Sequence, residues 1–193
     1  FQMQFEFMEH DLSLVASGSH VQFIGAQNTL YKYPISHDAC IAKQTILTTF
    51  CHPALIIRKD TLIQNNILYE QDYQYAEDYE LISKLSQIGK LGNINTVLLY
   101  YRIHENQITA IYNKNQIQLH SKIAAKNFNF INIFISEEII KQLIFPEIKA
   151  KNFSSIKYLS IYFKHIFFPL FIAIKIKLIS LYFYSKRVAK FFI

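Results

Sequence analysis

Apolar residues change their spacing along the chain, and the change separates strands from helices. The run Leu12-Ser-Leu-Val-Ala-Ser-Gly18 is short, apolar and ends at small residues, which predicts a strand. Residues 21–24 and 29–31 flank Gly25-Ala-Gln-Asn28 and predict a hairpin. Ala54-Leu-Ile-Ile57 carries no polar side chain and predicts a strand buried on both faces, entered through a turn at Cys51-His52-Pro53. Two further strands are predicted at 91–94 and 97–102. Between these segments the spacing becomes helical. Phe1, Phe5 and Met8 share one face of a helix over 1–9, which His10-Asp11 closes. Residues 37–49 predict a helix capped by Ser36 or Asp38, and 60–64 a single helical turn. Leu81, Ile82, Leu85 and Ile88 predict a helix over 76–88 that Gly89 stops. Ile117, Leu119, Ile123 and Phe130 mark a helix over 114–130. Another is predicted over 135–143, with Ser136 as cap and Glu137-Glu138 in its first turn. Alternating strands and helices predict an α/β domain over 1–112, followed by a helical extension over 113–150.

Charge divides the chain at the same place. Residues 1–112 hold 11 acidic and 7 basic residues, whereas 113–193 hold 3 acidic and 13 basic, within an overall +6. The basic part is also the aromatic and apolar part. Its charge-free core, 166–174, is nine residues long and contains Pro169, too short for the roughly 20 apolar residues of a spanning helix. Lys164, Lys175 and Lys177 flank that core, and Lys186-Arg187 and Lys190 suit anionic headgroups. Residues 151–193 are therefore expected to form a basic, amphipathic tail lying on a membrane surface, with no nucleic-acid partner. The chain opens on Phe1 in a stretch that already reads as mid-helix, so it is expected to be the later part of a longer protein. Cys40 and Cys51 match neither a zinc spacing nor a disulfide framework and read as reduced thiols.

Candidate chemistry concentrates at helix and strand ends. Glu77 and Asp78 fall in the first turn of the predicted helix, where the exposed N–H groups and the dipole favour an ionised carboxylate. Such a carboxylate facing a cleft is competent as a general base on a hydroxyl, and it equally serves to complement the dipole. His104, two residues beyond Arg102 at a strand end, is a candidate metal or diphosphate ligand. Arg102 is suited to a phosphate or to an ion pair with Glu77, Asp78 or Glu80. His52 and Arg58 bracket the predicted strand at 54–57, and Tyr69, Tyr73, Tyr75 and Tyr79 supply flat amphipathic rings. The sequence carries no Gly-rich phosphate loop, no HExxH, no G-x-S-x-G and no D-x-D after a strand.

In order, Phe50-Cys-His-Pro-Ala-Leu-Ile-Ile-Arg-Lys59, Tyr69, Ala76-Glu-Asp-Tyr-Glu-Leu81, Gly89-Lys-Leu-Gly-Asn93 and Leu98-Leu-Tyr-Tyr-Arg-Ile-His-Glu-Asn-Gln-Ile-Thr109 resemble the second half of family 2 glycosyltransferases. These are GT-A-fold enzymes of bacterial polysaccharide and lipopolysaccharide assembly. Phe1-Gln-Met-Gln-Phe-Glu-Phe-Met-Glu-His-Asp-Leu-Ser-Leu-Val-Ala-Ser17 resembles the helix and strand that follow that family's acidic metal motif. The resemblance, over about 1–112, implies a partial GT-A domain (Rossmann-like, with a mixed sheet) acting on a nucleotide-sugar donor and a glycan or lipid-linked acceptor with inversion. It implies Asp78 as the base and Glu77 as a pocket residue beside it. His52, Arg58, Tyr75 and Arg102 would bind substrate, and His104 would reach the metal or diphosphate. A divalent metal (Mg or Mn) is expected, its main ligands lying with the nucleotide-binding part before Phe1. The location it implies is the cytoplasmic face of the bacterial inner membrane. The rival reading is a non-enzymatic remnant or membrane-associated interaction module.

Overall fold

The longest fully buried run among the described residues, 14–21, lies in strand β1 (Leu14–Gly25). The computed structural model describes residues 1–104, 113–134 and 136–144. Burial of eight consecutive residues means that both faces of β1 are covered, as in the strands of α/β sheets. One edge of β1 is taken along its whole length by β4 (Lys90–Ile103), which runs parallel from Leu14↔Lys90 to Gly25↔Ile103. The other edge carries two short antiparallel strands. β3 (Ile56–Ile57) pairs with Ala16 and Ser17, and β2 (Leu30–Tyr31) pairs with Val21 and Gln22. The result is a mixed four-stranded sheet. The helices are α1 (Gln2–His10), α2 (His37–Gln44), α3 (Lys59–Gln64), α4 (Glu77–Leu85), α5 (Asn113–Phe130) and α6 (Glu137–Ile144). The expected α/β class is therefore observed, and residues 1–141 form one unit in which α5 packs on α4. Residues 142–193 are a second unit. The expected amphipathic tail over 151–193 lies outside the described residues. Among the described residues no helix is long and apolar enough to cross a membrane.

The main core is built from Val15 and Ala16 of β1, Leu91 of β4, Cys40 of α2, Phe50, and Leu81, Ile82 and Leu85 of α4. Each large apolar side chain removed from water here contributes about 1.5–3 kcal/mol before entropy is counted. α4 is amphipathic in the expected sense, and its buried side is what pins its N-terminus relative to the sheet.

Several expected boundaries are corrected. The two strands expected at 12–18 and 21–24 are one, because the small residues between them are not a turn. Gly18 is the place where Asn93 and Phe50 press against β1. A Cβ there would lie 2.4 Å from Asn93 Oδ1 and 2.6 Å from Phe50 Cδ1. Likewise 91–94 and 97–102 are one strand, and the gap at Asn95-Thr96 is an irregularity in register between Ser19↔Ile94 and His20↔Val97. His20 Nε2 contacts Asn95 Oδ1 at 3.0 Å across that irregularity. The strand expected at 54–57, buried on both faces, is instead a 3₁₀ turn, His52–Ala54, followed by a half-buried two-residue strand. Pro53 has no N–H for a sheet ladder and sits at the start of that turn. The expected Phe1/Phe5/Met8 face is only partly right: Met8 is buried beside Gln4, while Phe1 and Phe5 are exposed. Gln4 is drawn inward because its Nε2 donates to Ala54 O at 2.7 Å. The cap residues are as expected. Ser36 Oγ accepts from Ala39 N at the start of α2, and Ser136 Oγ from Ile139 N at the start of α6.

Gly18→Ala is expected to destabilise the domain by about 1–3 kcal/mol, because Phe50 and Asn93 are both fully buried and have nowhere to move. A urea midpoint that falls at constant slope would show this; an unchanged midpoint would refute the close approach.

Candidate functional site

α4 begins under two constraints. Tyr75, two residues before it, holds φ +75°, a conformation that non-glycine residues adopt only when their surroundings impose it. Its carbonyl is gripped by Gln116 Nε2 of α5 at 2.9 Å. Ala76 then serves as N-cap with no side-chain cap. The first-turn N–H groups are thus left to Glu77, Asp78 and Glu80, the acidic residues of that turn. Asp78 Oδ1 accepts the N–H of Tyr79 at 2.8 Å. This bond fixes the rotation of the carboxylate, and its other oxygen, Oδ2, accepts no hydrogen bond from the described residues.

The next residue anchors the turn. Tyr79 is fully buried, and its hydroxyl donates to Gln44 O at 2.9 Å. Gln44 Nε2 donates back to Tyr79 O at 3.2 Å, and Asn127 Nδ2 of α5 donates to Gln44 O at 2.8 Å. The His120 ring of α5 lies 5.0 Å from the Tyr79 ring, tilted by 42°. Helices α2, α4 and α5 are therefore tied together one residue away from Asp78.

Four side chains interact electrostatically with Asp78: Tyr33, Cys51, Tyr69 and His120. Burial raises the Tyr33 phenol far above its usual range, helped by Cys51, Tyr31 and Asp78. Burial also pushes the Cys51 thiol up to about 11, with Asp78 adding to the rise and a hydrogen bond with Tyr33 opposing it. The half-exposed Tyr69 phenol is raised by partial burial and then by Asp78 and Glu77. Burial lowers the His120 imidazole, and Asp78 partly offsets that. At neutral pH these four groups are uncharged, so the Asp78 carboxylate acts on phenols, a thiol and a neutral imidazole. Tyr33 and Cys51 also belong to the aromatic cluster at the C-terminal half of β1 and β4, with Val21, Phe23, Leu99 and Tyr101. Ligand sites of open α/β sheets gather at that end of parallel strands.

The expected site residues divide into those that converge and those that do not. Glu77, Asp78 and Tyr75 lie together at the start of α4. His52 joins them through Tyr69, its Nε2 standing 3.1 Å from the Tyr69 hydroxyl. Glu77 acts on the same phenol, and its Oε2 is buried without a hydrogen-bond partner among the described residues. Arg58 is engaged elsewhere. Its Nε donates to Leu14 O at 2.9 Å, Nη1 pairs with Glu9 at 3.0 Å, and Nη2 donates to Met8 O. It clasps the C-terminus of α1 to β1, which is a structural task. Arg102 and His104 are exposed at the end of β4, opposite Ile24 and beyond Gly25 of β1. Glu105 to Thr109 of the resemblance lie outside the described residues. No group of three or more His, Cys, Asp or Glu among the described residues is placed to hold a metal ion. An apolar groove between α2, α4 and α5, bordered by Ile41, Thr45, Ser86 and Phe130, sits at the far end of α4 from Asp78.

Three members of the site were not legible as such. Tyr33 lies just past the expected hairpin strand at 29–31, Cys51 reads as a reduced thiol, and His120 falls in the expected helical extension. The signal for His120 is its spacing: Gln116, His120, Ile123 and Asn127 recur at helical intervals and all face α4 or the turn before it. No protein-family model and no curated protein matches the chain.

Both His120 and His37 have imidazole pKa values lowered by burial, and His37 Nδ1 accepts the Leu91 N–H at 3.1 Å, which requires the neutral ring. The unfolded chain therefore binds more protons below about pH 6.5, and stability must fall as pH drops from there toward the folded values. The melting temperature is expected to decrease between pH 7 and 5, and His37→Gln or His120→Gln should shrink that decrease. A flat profile, or variants that parallel the wild type, would contradict the assignment.

Proposed function

We propose that this chain is the acceptor-side part of an inverting glycosyltransferase with a GT-A architecture, in which Asp78 is the general base. One observation carries the reading. The Asp78 carboxylate stands in the first turn of α4 with its Oδ1 fixed by the Tyr79 N–H, and its charge bears on the neutral phenols of Tyr33 and Tyr69, the Cys51 thiol and the His120 imidazole. The ordered resemblance to family 2 glycosyltransferases supports it. Asp78 is the position to which the resemblance assigns that family's base, Glu77 is its neighbour in the same turn, and His52 stands 3.1 Å from the hydroxyl of Tyr69, whose phenol both carboxylates influence.

In the proposed step an acceptor hydroxyl approaches Oδ2 of Asp78. The carboxylate takes the hydroxyl proton while the oxygen attacks the anomeric carbon of the donor sugar. The new C–O bond forms as the bond to the nucleoside diphosphate breaks, and the diphosphate leaves with that electron pair. A single displacement from the opposite face inverts the anomeric configuration. Glu77 and the His52–Tyr69 pair position the acceptor, and Tyr75 sets the entry of α4. Arg102 and His104, exposed at the end of β4, are assigned to the diphosphate side. Arg58 is assigned to structure, on account of its clasp on α1. The basic, aromatic tail over 151–193 would hold the protein at the cytoplasmic membrane face, near a lipid-linked or glycan acceptor.

Asp78→Asn keeps the size of the side chain and its bond to Tyr79 N, and removes the basic oxygen. In the full-length protein it is expected to lower transfer of sugar from a labelled nucleotide-sugar into glycan or lipid-linked product by about 10²–10⁴-fold. The circular dichroism spectrum should not change. Retained transfer would remove the base assignment.

A further inference from the structure

The link from β2 to α2, Tyr33-Pro34-Ile35-Ser36-His37, is a strap tied by hydrogen bonds to both long strands of the sheet. At its start the Tyr33 N–H donates to His20 Nδ1 of β1 at 3.2 Å. In its middle Asn93 of β4 donates twice, from Nδ2 to Pro34 O at 2.7 Å and from its backbone N–H to Ile35 O at 3.2 Å. At its end the Leu91 N–H of β4 donates to His37 Nδ1 at 3.1 Å. The first and last of these bonds end on an imidazole lone pair. Both rings must therefore be neutral with the proton on Nε2, and Nε2 of His20 stands 3.0 Å from Asn95 Oδ1, placed to donate to it. Protonation of Nδ1 removes the acceptor and sets two N–H groups against each other. The Asn93 bonds are indifferent to pH.

Little else holds the strap down. Leu30 and Tyr31 before it and Ile35 within it are exposed, as are Lys32 and Ser36, while Pro34 is half-buried. Tyr33 is its inward residue, half-buried against the cluster of Val21, Cys51 and Ala54. Segments with few buried apolar contacts are those that open locally. The elements on which the strap rests are secured independently of it. β1 is buried over 14–21, and α2 is fixed by Cys40 in the main core and by Gln44, which bonds Tyr79. Loss of the two imidazole bonds therefore falls on the strap and not on the domain.

The charged groups around the latch are few. Burial lowers the His37 imidazole, Asp38 of α2 opposes that, and Lys90 of β4 adds to it. Lys90 is itself paired with Asp11 at 3.3 Å. His20 meets Tyr33 and Asn95, which carry no charge in acid, and Lys43 of α2 stands 4.3 Å from the Tyr33 ring centre. An open strap leaves both imidazoles free to take a proton, so it binds more protons than the closed one below about pH 6.5, and acid shifts the balance toward it.

We propose that residues 33–37 form a proton-sensitive strap, latched to β1 and β4 by the unprotonated Nδ1 atoms of His20 and His37, which opens on acidification while the rest of the domain stays folded. Opening withdraws Tyr33, one of the neutral groups on which the Asp78 charge acts. The latch itself does not depend on the transfer reading above.

Hydrogen exchange followed by NMR tests it, on the full 193-residue chain at about pH 7.5 and about pH 5.5, each rate divided by the intrinsic rate at that pH. Protection of the Tyr33, Leu91 and Asn93 amides is expected to fall about tenfold or more at the lower pH. The Lys90 amide, bonded to Ser13 O in the same strand, and the Ser86 amide, bonded to Ile82 O at the end of α4, should fall by a smaller factor. Asn places an uncharged acceptor near the position of Nδ1, so His20→Asn combined with His37→Asn should keep the strap protected at both pH values. Three results would each overturn the latch: strap protection equal at the two pH values, a loss shared in equal measure by Lys90 and Ser86, or a folded double variant that keeps the wild-type loss. The first two are read from the wild type alone and decide the question whether or not the variant folds.

Discussion

The hydrogen bond from the buried Tyr79 hydroxyl to the carbonyl of Gln44 is the interaction on which the acidic end of α4 depends. Tyr79 is followed in the chain by apolar residues that enter the main core and preceded by the two carboxylates that do not. Its hydroxyl reaches α2, its ring meets His120 of α5, and the Gln44 side chain answers its carbonyl. Asn127 closes the same network from α5. A buried hydroxyl deprived of such partners costs about 1–3 kcal/mol, so the network tolerates one arrangement of the three helices and few others. Asp78 inherits that fixity because it is the adjacent residue in the same helical turn.

From this anchor the chemistry follows by proximity. The N-terminal turn of α4 is held by α2 and α5, and Tyr75, at φ +75°, turns the chain into the helix at that point. The Asp78 side chain cannot swing freely, since Oδ1 is occupied by the Tyr79 N–H. Burial keeps the Tyr33 phenol, the Cys51 thiol and the His120 imidazole, on which its charge acts, neutral. A carboxylate in that setting is suited to receiving a proton from a bound hydroxyl.

The periodicity of the sequence made the larger elements legible and the local exceptions illegible. The helices α1, α2, α4 and α5 begin close to where apolar spacing and caps put them, but α2 ends at Gln44 and α4 at Leu85, short of the expected 49 and 88, and Phe1, Phe5 and Ile88 of the expected stripes are exposed. The strands were read as broken wherever small or polar residues interrupted an apolar run. At Ser17-Gly18-Ser19 and Asn95-Thr96 those interruptions are tertiary features, a close approach by Asn93 and Phe50 and an irregular register, and neither has a local sequence signature. Asp78 and Glu77 were visible because helix ends concentrate carboxylates. Tyr33, Cys51 and His120 were not, since what brings them to Asp78 is the packing of β2, the 3₁₀ turn and α5, and single-residue chemistry carries no trace of that. Arg58 shows the converse. Its charge and strand-end position suggested a ligand contact, while the structure gives its guanidinium to the Met8 carbonyl and Glu9 carboxylate at the end of α1 and to the Leu14 carbonyl that opens β1.

The central claim is a single displacement assisted by the Asp78 carboxylate, and the stereochemistry of the product tests it most directly. With the full-length protein and a nucleotide-sugar of known anomeric configuration, the first-formed product is examined by proton NMR for the coupling at its anomeric centre. Inversion relative to the donor is predicted. A product that retains the donor configuration would require a second displacement or a front-face path, and would contradict the role assigned to Asp78.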